Sequence, residues 1–292
     1  MPAEFRIDRH RARRAFDAAA ASYDEAAVLQ REVGERLAGR LDWIRIEPKT
    51  VLDLGAGTGH LCGLLLERYR RADVVAVDFS ASMLDRARRR GRWRRRPRAV
   101  CADAVALPFA DQTFDLLVSN LMLQWCLPLE LYLVEMRRVM APNGLLMFSS
   151  FGPDTLKELR AAWREVDDRP HVHEFADMHD VGDALLATGF ADPVMDMEMI
   201  TLTYEDVLSL MRDLKAIGAV NAAEERPRGL HGRQAYQRLC RAYERFRDGA
   251  GRLPATYEVL YGHAWVPEAP PPSRIEEIFP LAVSSAPRSR VR

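Results

Sequence analysis

The segment Val51-Leu-Asp-Leu-Gly-Ala-Gly-Thr-Gly59 constrains the fold more than any other part of the sequence. Residues typical of a short buried strand lead directly into glycines at positions 55, 57 and 59, and an apolar run begins at His60. Glycine lets a backbone turn tightly and come close to a ligand, and the first turn of a helix offers free N–H groups. The segment therefore predicts a strand, a ligand-binding turn and a helix, in that order.

The same alternation of strands and helices continues for about 90 residues beyond the turn. Continuous apolar runs predict further strands at 73–78, 99–103, 114–119 and 145–150, and the segments between them, such as 81–90 and 128–140, carry helical patterns. Buried strands that alternate with helices are typical of a parallel sheet covered on both faces. We therefore expect an α/β fold.

The flanking segments predict further elements. Residues 8–42 carry a broken helical stripe, and the later segments read as helices at 155–166, 180–188, 205–218 and 232–247 and as strands at 193–204 and 256–265. We expect the following division: an N-terminal helical lid at 1–44, a core at 45–204, a helical insertion over the substrate site at 205–254, the last core strand at 255–266, and a disordered tail at 267–292.

Composition excludes several classes of protein. The formal net charge is zero, which argues against a general nucleic-acid binder. The four cysteines are far apart in sequence, so neither a zinc pattern nor a redox pair is expected. No stretch approaches the roughly 20 apolar residues of a membrane span, and the charged N-terminus does not resemble a secretory signal. We expect a cytoplasmic protein that binds neither membrane nor nucleic acid.

Three acidic residues indicate the ligand. Asp53 lies beside the glycine turn, where it would repel a pyrophosphate but could pair with a cationic amino group. Asp78 ends the second strand and can accept from both ribose hydroxyls, although NAD sites use the same device. Asp103 ends the third strand, where its carboxylate can accept from an adenine amino group while the Ala104 N–H serves a ring nitrogen. The ends of neighbouring parallel strands meet at one edge of a sheet, so these groups should converge on one crevice.

In these features the chain resembles the class I S-adenosylmethionine-dependent methyltransferases. The matching segments are Val51–Leu61, Val75–Met83, Ala102–Phe109, Phe114–Trp125 and Arg138–Phe148. The resemblance implies a Rossmann-like, seven-stranded, mostly parallel sheet whose last strand is antiparallel, and S-adenosylmethionine as the cofactor. The cofactor-binding residues predicted with it are Asp53, Gly55, Ala56, Gly57, Asp78, Phe79, Met83, Asp103, Ala104 and Asn120.

The flanks resemble one branch, the malonyl-acyl carrier protein O-methyltransferases of biotin synthesis. The matching segments are Arg14–Asp17, Ala21–Asp24, Phe151–Arg160, Phe175–Leu185, Pro193–Glu198, Asp213–Ala219, Arg228–Leu230 and Tyr257–Trp265. The resemblance implies methylation of the free carboxylate of a malonyl group carried on the phosphopantetheine of an acyl carrier protein, or on coenzyme A. It also implies no metal, and we expect a monomer.

A carboxylate acceptor is already ionised at pH 7, so the reaction needs alignment rather than a general base. A cation should hold the malonyl end, and Arg212, Lys215, Arg228 and Arg233 of the insertion are the candidates. We favour Arg228 and Arg233, because both lie in a glycine-flanked segment suited to a loop, although a solvated arginine is an equally good interpretation of either.

Aromatic and amide residues complete the predicted acceptor side. Tyr23 follows a run of small residues in the helical lid, where a phenol could orient the carboxylate or exclude water; a core aromatic is the alternative. Gln124 and Trp125 follow the fourth strand and are expected to line the acceptor side, with Trp125 mainly packing. His171, His173 and His179 are not expected to form a metal site, because residues two apart do not share a helix face.

The basic run Arg86–Arg98 follows the helix after the second strand, so we expect it at the edge of the sheet opposite the ligand, as a solvated charged turn. Docking of an acidic carrier protein is expected instead at Arg160, Arg164, Arg212, Lys215, Arg238 and Arg241. Other hypotheses remain open: a methyltransferase acting on another carboxylic acid or a quinol precursor, and a methyltransferase-like assembly factor of respiratory complex I. A dehydrogenase is a third hypothesis, but the glycine spacing and Asp53 argue against an NAD site.

Overall fold

The computed structural model describes residues 7–92, 94–222 and 232–268. Its strands are β1 Thr50–Leu54, β2 Asp73–Asp78, β3 Arg98–Cys101, β4 Phe114–Asn120, β5 Met140–Phe151, β6 Ala191–Tyr204 and β7 Leu253–Trp265. Its helices are α1 Arg9–Ala19, α2 Tyr23–Ala26, α3 Val28–Arg40, α4 His60–Arg68, α5 Ala81–Ala87, α6 Leu129–Val139, α7 Lys157–Arg164, α8 Met178–Ala187, α9 Val207–Ala216 and α10 Arg233–Tyr243. Arg228 and the predicted tail from residue 269 onward lie outside the described residues.

The seven strands form one sheet in the order β3-β2-β1-β4-β5-β7-β6. Strands β1 to β5 pair in parallel, and β7 runs antiparallel to both of its neighbours, β5 and β6. The predicted mostly parallel sheet with an antiparallel last strand is therefore confirmed. The strand order reverses between β1 and β4, and open α/β sheets bind ligands at such a reversal.

Each buried strand contributes side chains to two cores, one on either face of the sheet. Leu52 of β1 and Val75 of β2 pack on the face covered by α6 and α8. Val51 and Val74, their neighbours in sequence, pack on the face covered by α3 and α4. Successive side chains of a strand point to opposite faces, so a continuous apolar run is required when both faces are covered. This requirement explains the strand sequences from which the fold was predicted.

The N-terminal segment that was predicted to be helical forms three helices. Asp8 caps α1 by accepting from the Arg11 N–H at 2.9 Å, and α1 ends after Ala19. The four-residue helix α2 follows, and α3 then packs on the sheet and on α4. The breaks on either side of α2 turn the chain, so that α1 and α2 lie over the carboxyl ends of the strands while α3 joins the core.

The insertion is held to the N-terminal segment by hydrogen bonds to its backbone carbonyls. The Asp8 N–H donates to the Ala222 carbonyl at 2.8 Å, and Arg11 Nε donates to the Asn221 carbonyl at 3.1 Å. Gly218, just after α9, lies so close to Phe16 that a Cβ there would be 3.1 Å from the ring. Across the described ranges, every helix is too short or too polar to cross a lipid bilayer.

Candidate cofactor and acceptor site

A pocket lies beneath α1 and α2 at the carboxyl ends of the strands β1 to β4. Its lining joins the turn after β1 to residues that follow the other strands, which is where a ligand of an open α/β sheet is expected. The lining residues are Ile7, Arg9, Ala12, Phe16, Tyr23, Leu54, Gly55, Gly57, Val77, Asp78, Phe79, Met83, Ala102, Asp103, Ala104, Asn120, Leu121, Met122, Trp125, Cys126 and Tyr132.

The glycine turn, residues 55–59, requires its glycines for two reasons. Gly55, Gly57 and Gly59 all have positive φ angles, of 76°, 53° and 81°, which side chains disfavour. In addition, a Cβ on Gly55 would lie 2.7 Å from Met122 Cβ, whereas a Cβ on Gly57 would meet nothing within 4 Å. Gly55 is therefore needed for close packing, while Gly57 leaves open space on the pocket side of the turn.

Asp78 fixes the turn from the end of β2. One carboxylate oxygen accepts from the Gly57 N–H at 2.9 Å, and the other accepts from the Ser80 N–H at 2.8 Å. Burial raises the pKa of Asp78 to about 6, against the lowering effect of these N–H donors. Each oxygen has a further lone pair, so Asp78 can also accept from ligand hydroxyls in the pocket.

Asp53 lies beneath the turn rather than on the pocket lining. Its side chain is buried, and the Cys62 thiol donates to Oδ2 at 3.0 Å. Oδ1 is buried without a hydrogen-bond partner among the described residues, and burial raises the pKa of Asp53 to about 7. A buried acceptor without a donor is costly, so this carboxylate fits a site that receives a cationic amino group at the turn.

Asp103 and Ala104 line the pocket at the end of β3. Asp103 Oδ1 accepts from the Val105 N–H at 3.2 Å, and Oδ2 forms an ion pair with Arg9 of α1. The lid therefore contacts the carboxylate that was predicted to receive the adenine amino group. Eight of the ten predicted cofactor residues line the pocket, and the other two, Asp53 and Ala56, are buried beside it.

Tyr23, the first residue of α2, lines the same pocket. Burial raises the pKa of Tyr23 above its usual value, and the charges of Asp78 and Asp24 add to the effect. The side chain is therefore a neutral phenol over the whole physiological range, able to donate one hydrogen bond.

Comparison with known proteins identifies the family. A family model described as a methyltransferase domain matches residues 52–148. The malonyl-[acyl-carrier protein] O-methyltransferase of Halorhodospira halophila is 57% identical over 89% of this chain and 88% of its own length. That of Laribacter hongkongensis is 53% identical over 95% of this chain and 96% of its own length. The chain therefore belongs to the malonyl-[acyl-carrier protein] O-methyltransferase family.

Solved structures agree on the fold. The YcgJ protein of Bacillus subtilis matches with a TM-score of 0.58 at 14% identity, covering 80% of this chain and all of its own. A putative methyltransferase of Haloferax volcanii, solved in complex with the activator Trm112, matches with a TM-score of 0.56 at 17% identity, covering 88% of this chain and 98% of its own. Family membership confirms the predicted class I methyltransferase and its cofactor, S-adenosylmethionine.

In this member of the malonyl-[acyl-carrier protein] O-methyltransferase family, one of the two residues predicted to line the acceptor side does not line the pocket. Gln124 does not line the pocket: its amide nitrogen donates to the Leu121 carbonyl at 2.6 Å and so stabilises the turn after β4. Its neighbour Trp125 does line the pocket and packs edge-on against Phe16 of α1, with ring centroids 5.3 Å apart. Trp125 packs in the same way against His173, at 5.0 Å.

The predicted cations are not on the described lining. Arg233 is the exposed first residue of α10, and Arg228 lies outside the described residues. Among the described residues that line the pocket, Arg9 is the one cation. Arg9, Ala12 and Phe16 are spaced three and four residues apart, so they share one helix face. The prediction missed this helical spacing, which is the signal that could have shown that α1 presents Arg9 and Phe16 to the ligand.

Two basic features differ from their predicted roles. Arg160, expected on a docking surface, is half-buried and donates to the Pro153 and Thr155 carbonyls at 2.7 and 3.0 Å, so it stabilises the loop before α7. The expectation that the whole run from Arg86 lies far from the ligand is wrong for Arg90, whose Nε donates to the Thr58 carbonyl in the glycine turn at 2.9 Å. Helix α5 is short enough that its C-terminal end still reaches this turn. Within the described ranges, no cluster of His, Cys, Asp and Glu could hold a metal.

Proposed function

We propose that this chain transfers a methyl group from S-adenosylmethionine to the free carboxylate of a malonyl group on an acyl carrier protein. One observation carries the proposal: identity of 57% to a protein of that name along nearly the whole chain, flanks included. The flanks, rather than the glycine turn, distinguish acceptors, because the turn serves a cofactor that many methyltransferases share.

The residues of the pocket suit this cofactor. Asp78 is proposed to accept from the ribose hydroxyls, Asp103 with Ala104 to bind the adenine, and Asp53 to pair with the methionyl amino group through the turn. Phe79, Met83, Gly55, Gly57 and Asn120 line the same cavity and complete the proposed contacts. When bound, the cofactor supplies a methyl group on a positively charged sulfur.

The chain then has three tasks: to exclude water, to orient the acceptor and to leave its carboxylate ionised. Phe16, Leu121 and Trp125 give the pocket an apolar wall, which strengthens the attraction between a carboxylate and the cationic sulfur. Tyr23 can donate a hydrogen bond to one carboxylate oxygen while the other attacks. No general base is required, because the acceptor has lost its proton in solution.

A cation for the malonyl end is proposed at Arg228 or Arg233, both in the insertion. Support comes from the contacts that join the insertion to α1 at Asn221 and Ala222, directly before the segment that holds Arg228. Single Arg228→Ala and Arg233→Ala variants should raise the KM for the malonyl acceptor and leave cofactor affinity unchanged. Unchanged kinetics in both variants would contradict this part of the proposal.

The deciding experiment is mass spectrometry of malonyl-acyl carrier protein after incubation with the protein and S-adenosylmethionine. The acyl group should gain one methyl. Malonyl-coenzyme A and free dicarboxylic acids serve as alternative acceptors. If a free dicarboxylic acid is methylated as fast as malonyl-acyl carrier protein, the result would favour a methyltransferase that acts on another carboxylic acid. The protein should also rescue a biotin auxotroph that lacks this methyltransferase, which a respiratory assembly factor would not do. A cytoplasmic monomer completes the proposal, and light scattering tests the oligomeric state.

A further inference from the structure

Three side chains outside the pocket join the lid to the glycine turn. Asp24 of α2 accepts from Thr58 Oγ1 at 2.5 Å through one carboxylate oxygen and from Arg90 Nη2 at 2.6 Å through the other. Arg90 also donates through Nε to the Thr58 carbonyl at 2.9 Å. Each of the three residues therefore bonds to both others, and we call this set the Asp24 triad.

The triad connects segments that have different tasks. Thr58 lies in the glycine turn between Gly57 and Gly59 and is buried. Arg90 follows α5 and packs against the turn, since a Cβ on Gly59 would lie 3.0 Å from Arg90 Cγ. Asp24 directly follows Tyr23, which lines the pocket, but Asp24 itself is not part of the lining. Any influence of Asp24 on the ligand must therefore pass through its neighbours.

Helix α2 depends on such an anchor. It has only four residues and no side-chain cap at Ser22, and a single helical turn is not stable by itself in water. Elsewhere α1 is attached at two other strand ends, through Arg9 to Asp103 after β3 and through Asp17 to Ser80 after β2. Arg31 of α3 also donates to the Asp24 carbonyl, but among these attachments the triad is the one that joins α2, which carries Tyr23, to the glycine turn.

We propose that Asp24 is a positioning residue: it holds α2 against the correctly formed glycine turn and so places Tyr23 over the pocket. The inference rests on the proposed methyl transfer for its biological meaning, but it predicts a property of cofactor binding alone. When the turn is correctly formed, the Thr58 hydroxyl meets Asp24 and the Thr58 carbonyl meets Arg90. Closure of the lid and formation of the binding turn therefore favour each other.

The test is a double-mutant cycle in the full-length protein, with S-adenosylhomocysteine binding measured by calorimetry. Asp24→Ala removes both acceptor oxygens, so Thr58 and Arg90 each lose their acceptor. Thr58→Val keeps the shape of the side chain and removes the hydroxyl. Each variant should weaken binding about tenfold, the effect of losing a charge-assisted hydrogen bond. The double variant should be little weaker than either single one, because both break the same contact.

Two controls separate positioning from general damage. Thr58→Ser restores the hydroxyl and should bind within about twofold of the unmodified chain. Arg88→Ala removes a neighbouring arginine whose partner is Asp85 rather than the lid, and it should leave binding unchanged. In limited proteolysis, bound S-adenosylhomocysteine should protect the segment around α1 and α2 in the unmodified protein and in Thr58→Ser, but less so in Thr58→Val.

Additive losses in the double variant, or a Thr58→Val variant that binds normally, would overturn the inference. A fall in affinity that simply follows a lower melting temperature would also overturn it. A protein that shows the predicted cycle but does not methylate malonyl-acyl carrier protein would refute the proposed acceptor and leave the role of Asp24 intact.

Discussion

The proposed cofactor side and the proposed acceptor side of the pocket are assembled in different ways. The cofactor side uses strand ends that follow one another in sequence: the Gly57 N–H meets Asp78 only 21 residues away, within one strand–helix–strand unit. On the acceptor side, Phe16 packs on Trp125, Trp125 packs on His173, and His173 accepts from the Ala222 N–H at 3.0 Å. A regular sheet defines the first side, whereas the second depends on contacts between segments that are distant in sequence.

The two sides should differ in how much their sequences can vary. The sheet fixes the strand ends that carry the acids, so a cofactor site of this kind can keep these acids while the lid and the insertion change. Burial on the acceptor side also acts on His173, lowering its pKa to about 4, so this ring packs as a neutral group rather than as a cation for the malonyl end. The acceptor's charge must therefore be recognised by other residues.

The largest expected effect tests whether the cofactor side is organised by Asp78. Asp78→Ala removes the acceptor of the Gly57 and Ser80 N–H groups together with the proposed ribose contact. S-adenosylhomocysteine binding should weaken by about 100-fold or more, because two buried donors lose a charged partner. Asp73→Ala, at the exposed beginning of the same strand, is the matched control and should change affinity little. Comparable losses in the two variants would show that the strand, not the carboxylate, is responsible.

Asp53, on the cofactor side, should make the stability of the protein depend on pH. Its pKa is about 7 in the folded protein and near 4 in an unfolded chain, so the folded protein holds the proton more tightly. Its contribution to stability is complete below about pH 4 and is lost as the pH rises through 7. Between pH 5 and pH 8 this loss should reach about 2 to 3 kcal/mol for the ligand-free protein.

Asp53→Asn removes the titration, so the stability of the variant relative to the unmodified protein should rise over this pH interval. Urea unfolding of both proteins at the two pH values measures the difference. A difference that is constant with pH would mean that Asp53 does not carry the proton, and that the cofactor side lacks the buried acid proposed for it.

A smaller effect is expected where the turn touches the segment after β4. Gly55→Ala introduces a Cβ 2.7 Å from Met122 Cβ at a positive φ, and it should destabilise the fold by about 2 kcal/mol. Gly63→Ala, inside α4 with nothing within 4 Å of a new Cβ, should instead stabilise it by about 0.5 to 1 kcal/mol. Thermal unfolding compares the two, and losses of similar size would contradict a specific requirement at the turn.

Sequence patterns predicted the sheet and the cofactor side because their information is local. Strand β2, which ends at Asp78, and the following Phe79 occupy only seven consecutive residues. The strands that pair with β2 follow from the fold class. The same reasoning failed for Gln124 and Arg90. Whether a side chain after a strand points into a pocket or donates to a nearby carbonyl depends on the turn geometry, and the reach of Arg90 depends on where α5 ends. Neither property has a periodic signal in the sequence.

Arg9 lies where the two sides meet, and its removal should have the smallest effect. In the structure it neutralises Asp103, the proposed acceptor for the adenine amino group, so Arg9→Ala should free this carboxylate and strengthen S-adenosylhomocysteine binding. The pair is partly exposed, and exposed pairs contribute little, so the gain should be about threefold at low salt. Salt weakens the ion pair in the unmodified protein, so the difference in affinity between the two proteins should shrink as the salt concentration rises.

Arg13→Ala, one turn along α1 and 4.0 Å from Asp17, is the control. Weaker binding in Arg9→Ala would instead make Arg9 a cofactor-binding residue, and the lid would then belong to the cofactor side as much as the strand ends do.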